Sequence, residues 1–158
     1  MGWEKFARRA AEVGVDGVLT VDFPPEESHE AFEHLQNHGI DPIFLLAPTT
    51  NDARIELVAK LARGYVYYVS LKGVTGAGHL DLGAIAQKIP QLRAHIKLPI
   101  GVGFGIRDAQ TAKAVAALCD GVVVGSRIVQ EIENSSEQQV LANVAKLVKE
   151  LRVAVDQA

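Results

Sequence analysis

The sequence predicts an α/β protein, a parallel sheet covered by helices, and three observations predict it. Short apolar runs alternate with segments of helical periodicity along the whole chain. The runs are apolar throughout rather than alternating, as in strands buried on both faces. Each run is followed by a helix, which gives a leading helix and then five strand–helix units. Right-handed crossovers join parallel strands in such a pattern.

The elements follow in order. Trp3, Phe6, Ala7, Ala10 and Val13 recur at helical spacing, so residues 3–13 read as an amphipathic helix that Gly14 stops. Residues 15–22 read as a buried strand, which Pro24-Pro25 cannot extend. A helix over 26–38 places Phe32 and Leu35 on its apolar side and ends at Gly39. Residues 43–47 form the next strand, and Thr49 and Thr50 offer a cap for a helix over 51–63. The strand at 65–70 is rich in aromatic and β-branched residues. After a glycine-rich loop at 71–79, Leu82, Ile85, Ala86, Ile89 and Leu92 mark a helix expected to kink or restart at Pro90. A strand at 98–103 precedes an alanine-rich helix over 108–118 capped by Asp108. The last strand, 121–124, leads into a short helix at 126–133. Ser136 and Gln139 make a capping box for the final helix, whose stripe is Val140, Leu141, Val144, Leu147, Val148 and Leu151.

Composition bounds the function. The chain has 158 residues, 48% hydrophobic and 22% charged, as a globular domain has. Residues 1–158 read as a single domain, with no linker or low-complexity segment. A net charge of −3 without like-charge runs argues against nucleic acid or an anionic membrane as partner. No apolar stretch approaches the ~20 residues of a membrane span. The single cysteine, Cys119, reads as a small buried residue, excludes an internal disulfide and fits the cytoplasm. The N-terminus opens into a helical pattern without a signal-peptide layout, and Phe6 stands where a myristoylation signal needs Ser or Thr.

Two architectures fit this alternation: an open doubly wound sheet, or part of a (β/α)8 barrel. The leading helix, with no strand before it, favours the barrel. A whole barrel takes roughly 250 residues, so about three strands are expected to be missing from the front.

The chemistry gathers in three glycine-bearing segments after three successive strands. They are Gly73-Val74-Thr75-Gly76-Ala77-Gly78, Gly101-Val102-Gly103-Phe104-Gly105-Ile106, and Gly125-Ser126 at the start of a short helix. All lie at strand C-terminal ends, where barrel active sites form. Glycine lets backbone N–H groups approach a phosphate oxygen, and a helix N-terminus adds a dipole worth about 0.3–1 kcal/mol when exposed. Ser126 adds a hydroxyl. No Lys-Ser or Lys-Thr follows the glycines as in a Walker loop, and Gly101-x-Gly103-x-Gly105 lacks the third-glycine spacing of a dinucleotide site.

Asp22 closes its strand on the same face, either as a turn cap before Pro24-Pro25 or as a group that orients loops or assists proton transfer. Tyr67 alternates with Tyr65, so packing is one reading of it. His34 and His38 stand four residues apart, but no Glu lies between them and both fall on the polar face, which reads as solvated surface rather than a metal site.

Several segments together resemble the tryptophan synthase alpha family. They are Val15-Asp16-Gly17-Val18-Leu19 leading into Asp22-Phe23-Pro24-Pro25-Glu26-Glu27, Phe44-Leu45-Leu46-Ala47-Pro48-Thr49-Thr50, Tyr67-Tyr68-Val69-Ser70, Gly73-Val74-Thr75-Gly76-Ala77, the segment 101–106, and Asp120 through Ser126. Other phosphate-binding barrels, of histidine or thiamine biosynthesis, share the glycine logic but not the 22–27 stretch. The resemblance implies an incomplete (β/α)8 TIM barrel carrying strands 4–8. It implies a lyase of tryptophan biosynthesis that cleaves indole-3-glycerol phosphate to indole and glyceraldehyde 3-phosphate. The implied partner is a beta subunit, in a heterotetramer, and pyridoxal phosphate belongs to that partner, leaving no cofactor for this chain. Gly76, Gly105, Gly125 and Ser126 fall at the implied phosphate positions, Thr75 in a loop closing over substrate, and Tyr67 and Phe104 in the substrate pocket. Leu71-Lys72 departs from relatives with Arg there. The implied catalytic Glu and Asp lie on or after the second strand, ahead of this sequence. No catalytic residue is therefore expected here, and the chain alone is expected to be inactive. The open strand edges near 15–22 and 121–125 invite self-association.

Overall fold

A computed structural model describes residues 1–21, 24–27, 29–70, 80–103 and 105–158. Helix α1 (Trp3–Glu12) precedes strand β1 (Gly17–Leu19), a 3-10 turn (Pro25–Glu27) and α2 (His29–Asn37). Then come β2 (Asp41–Leu46), α3 (Asp52–Leu61), β3 (Val66–Val69), α4 (Leu82–His95), β4 (Ile100–Gly103) and α5 (Ala109–Ala116). Strand β5 (Gly121–Val123), α6 (Ser126–Glu133) and α7 (Val140–Val155) complete the chain.

The five strands form one parallel sheet in the order β1-β2-β3-β4-β5. A doubly wound sheet reverses its strand order at a switch point. This order never reverses, so the sheet is an arc of a barrel. Its register is staggered: β2 pairs with β1 through Asp41, Pro42 and Ile43, and with β3 through Phe44, Leu45 and Leu46. Barrel closure demands such a shear.

Strand alternation sorts the side chains onto two faces. Phe44, Leu46, Val66, Tyr68, Ile100 and Val102 face the helices and are buried. Leu35, Ile55, Val58, Ile85, Leu92, Val115 and Leu147 meet them from the helix layer. Phe32 and Phe44 stack edge to face at 4.8 Å. At the N-terminal ends of β4 and β5, Asp120 accepts from Ile100 N at 2.8 Å and pairs with Arg93 at 3.0 Å. Burial alone would raise its pKa, but these partners outweigh burial and hold the carboxyl below its ordinary range.

Several expectations are corrected. The first strand is Gly17–Leu19 rather than 15–22, because only three of its residues find partners on β2, its one neighbour. Strand β2 starts earlier than expected, at Asp41. Pro42 is tolerated there: its carbonyl accepts from Arg63 N at 3.2 Å, so its missing N–H faces the β3 side before β3 begins. The α3 cap is Asn51, which accepts from Arg54 N at 2.9 Å, while Thr50 Oγ1 accepts from Ala47 N and closes the preceding turn. Pro90 does not restart α4, since buried Ile89 and Leu92 on either side of it hold the helix to the sheet. The Ser136–Gln139 box does not form. Their side chains meet only each other, at 3.4 Å, and Gln139 caps α7 without a side-chain bond.

The helix stripes are only partly covered. In α1, Ala7 and Ala10 are buried, but Val13, just past its end, is 79% exposed. In α7, Leu147 and Leu151 are buried while Leu141 is 84% exposed. No helix among the described residues is long and apolar enough to cross a membrane.

The Asp108 cap forms as expected, and Thr111 completes it reciprocally: Thr111 N donates to Asp108 Oδ1 at 2.8 Å, and Asp108 N donates to Thr111 Oγ1 at 3.2 Å. The Thr111 N–H, then its hydroxyl, hold the Asp108 carboxyl below its ordinary pKa. A lowered folded pKa means that this stabilisation is present above the unfolded value and is lost as pH falls through the folded one. Asp108→Ala is therefore expected to cost about 1 kcal/mol in urea unfolding at pH 7. The difference from the parent chain should shrink below pH 3.8, the carboxyl's ordinary value.

Candidate functional site

The C-terminal ends of β3, β4 and β5 lie side by side. The pairs Val69↔Gly103 and Gly103↔Val123 set their level. Gly105 and Gly125 therefore each sit two residues beyond a register pair, on adjacent strands.

Each described residue has a physical reason for its place. Gly105 has φ +77°, a left-handed conformation that disfavours side chains, and an added Cβ would lie 3.3 Å from Leu80 Cβ. Gly125 caps α6 without a side chain, and its carbonyl accepts from Ile128 N at 2.9 Å. Exposed Ser126 opens the helix. The first two N–H groups of α6, those of Ser126 and Arg127, have no intrahelical partner and no side-chain cap, which suits them to an anion. Arg127 is turned along the helix to Glu131, at 2.7 Å.

Tyr67 lies on the inner face of β3, across from β4. Its ring occupies the space a side chain at Gly103 would fill: an added Cβ would fall on the phenolic oxygen and lie 2.6 Å from Cζ. Tyr65 stands over Gly101 in the same way, with ring carbons 3.3 Å from such a Cβ. Two aromatics at alternate positions thus fill the places of two absent side chains. Burial, then the neighbouring Tyr65, push the Tyr67 phenol above its ordinary pKa. It therefore stays neutral at physiological pH.

Sequence reasoning missed Ser70. It is buried, its hydroxyl donates to Gly103 O at 2.8 Å, and its N–H donates to the same oxygen at 3.2 Å. A polar residue ending an apolar strand was the available signal. The facing spacings Tyr65-x-Tyr67 and Gly101-x-Gly103 were the signal for the inner-face pairs.

Thr75, Gly76, Phe104 and Asp22 lie outside the described residues. Among the described residues no group of three His, Cys, Asp or Glu could hold a metal. His38 Nδ1 instead meets His34 O at 2.8 Å. The Cys119 thiol is half-buried, pushed up in pKa by burial, and donates to Val115 O and Gly121 O. The cleft beside the end of β2 is lined in part by an ion pair, with Arg54 bonding both Glu26 oxygens at 3.2 Å.

The fold and this rim define a class, a parallel (β/α) barrel of which five strands are present, with glycine-bearing turns at the strand C-terminal ends. The sequence profile described as Tryptophan synthase alpha chain matches residues 1–156. The chain belongs to the tryptophan synthase alpha chain family. It is 61% identical over 158 residues to the tryptophan synthase alpha chain of Nitrosospira multiformis, covering 100% of this chain and 57% of that one. The Nitrosomonas europaea alpha chain is 60% identical over 156 residues, covering 99% and 57%. Among solved structures, tryptophan synthase subunit alpha from Legionella pneumophila superposes with a TM-score of 0.86 at 36% identity, over 99% of this chain and 58% of that one. The chain thus spans about 57% of the length of these curated relatives, and its barrel is incomplete.

Proposed function

We propose that this chain, as one domain over residues 1–158, supplies the phosphate- and substrate-binding half of a tryptophan synthase alpha barrel. The observation that carries the reading is the alignment of Gly105 and of Gly125-Ser126 at adjacent strand ends, with the uncapped start of α6 between backbone and solvent. The family resemblance assigns Thr75 and Gly76 to the same phosphate grip, and Tyr67 and Phe104 to the pocket for the indole end. The substrate is indole-3-glycerol phosphate, and the products are indole and glyceraldehyde 3-phosphate.

The cleavage needs one proton delivered to the indole ring and another removed from the glycerol hydroxyl. Each positioned acid or base contributes about 10²–10⁴-fold. The family resemblance puts both carboxylates ahead of this sequence, so this chain binds and orients while the preceding strands supply the proton transfers. The barrel's partner is a beta subunit, which carries the pyridoxal phosphate, and the setting is the cytoplasm. Indole release from indole-3-glycerol phosphate tests the reading. The chain alone should release none, and adding a separate segment carrying the first three strands should restore release. No indole after that addition overturns the proposal.

One observation favours a second reading, a non-catalytic phosphate- or subunit-binding module that self-associates. Leu141 on α7 and Val129 and Ile132 on α6 are 84%, 53% and 48% exposed, and β5 is an end strand of the sheet among the described residues. Sedimentation as a monomer argues against that module.

A further inference from the structure

We infer that Ser70 is a positioning residue for the anion-binding rim and acts through Gly103. Ser70 is the one buried polar side chain among the described residues. Its hydroxyl and its own N–H converge on a single acceptor, Gly103 O, at 2.8 and 3.2 Å. The N–H bond continues the β3–β4 ladder one step past Val69↔Gly103. The hydroxyl bond is extra to the ladder, and strand formation does not require it.

Gly103 is where the rim's parts meet. Its Cα carries the Tyr67 ring on the inner face, and two residues later the chain turns through the left-handed Gly105. A carbonyl held by two donors fixes the level of the β4 end relative to the β3 end. The turn at Gly105 is then launched from a fixed frame. A shift of the β4 end would separate the Gly105 backbone from that of Gly125 and Ser126, which an anion must engage together. The long 3.2 Å ladder bond alone holds that level less firmly.

The inference rests on the phosphate reading above. Removing the hydroxyl leaves Gly103 O with its ladder donor, so that acceptor is not orphaned and the β3–β4 pairing should persist. The test titrates the whole 158-residue chain with inorganic phosphate. It follows the Gly105 amide by NMR, alongside urea unfolding. The parent chain should show a saturable shift of that amide. Ser70→Ala should bind phosphate roughly 2–10-fold more weakly, the equivalent of one hydrogen bond, with an unchanged urea midpoint. Ser70→Thr, which keeps the hydroxyl, should restore affinity. Ser70→Cys, close in size with a weaker donor, should fall between and serves if the added methyl of Thr unfolds the chain. Parent-like affinity in Ser70→Ala overturns the inference and leaves the phosphate reading standing. A midpoint that falls in step with affinity in both Ala and Cys variants shows a structural role only and also overturns it. No phosphate binding by the parent chain overturns the phosphate reading itself, and this inference with it.

Discussion

Gly103→Ala is expected to cost about 1–3 kcal/mol, the usual penalty of forcing a group into filled space. The backbone at Gly103 makes no demand for glycine, since its φ is not left-handed. The penalty is steric: the new methyl would overlap the Tyr67 phenolic oxygen and lie 2.6 Å from Cζ and 3.3 Å from Cε2. The ring must leave its place over β4, and Tyr67 then no longer lines the rim where it stands now. Urea unfolding of Gly103→Ala, Tyr67→Ala and the double variant checks the cause. The double variant should recover about 0.5–3 kcal/mol relative to the sum of the single changes. Additive losses would show that the ring is not what the methyl strikes. Gly101→Ala should be milder, because the Tyr65 carbons at 3.3 Å need yield only slightly.

Tyr68→Ala is expected to cost about 3–5 kcal/mol, as for other large aromatics removed from a core. Tyr68 is 1% exposed, on the helix-facing side of β3 among Phe44, Leu46 and Val102. Natural domains are stable by only about 5–15 kcal/mol, so this one change removes a large share. Thermal unfolding followed by circular dichroism should show a large fall in midpoint. Val69→Ala, one residue along and on the inner face, should cost far less because Val69 is only half-buried. Equal losses at the two positions would mean that the inner face, not the helix layer, carries the stability.

The alternation of elements was readable because each strand is a short apolar run and each helix keeps its period. Helix α6 matches its expected bounds, 126–133, and Asp108 caps α5 as its side-chain chemistry suggests. Gly105 was readable as special, and its left-handed φ supplies the reason. What could not be read depends on register. Tyr67 over Gly103, and Ser70 against Gly103 O, join residues 36 and 33 positions apart through a pairing that no local pattern encodes. Caps were misread where several polar residues competed, since Thr49, Thr50 and Asn51 are all capable and only backbone geometry chooses Asn51. The α7 stripe was correctly apolar, yet Leu141 is 84% and Val148 45% exposed. Periodicity marks which face is apolar and says nothing about what will lie against it.

The stagger of β2 has a mechanical consequence. Its first half grips β1 and its second half grips β3, so no residue of β2 is shared between the two pairings. Detachment of β1 therefore strips Asp41, Pro42 and Ile43 of their β1 partners and stops there, with Pro42 O still accepting from Arg63 N. The pairing of Phe44, Leu45 and Leu46 with β3 does not depend on it. The sheet behaves like overlapping roof tiles, in which losing the outermost tile leaves the next still nailed. Local opening in proteins proceeds in such cooperative pieces. The β2–β3–β4 centre, where Ser70 meets Gly103, is thus insulated from fraying at the β1 edge.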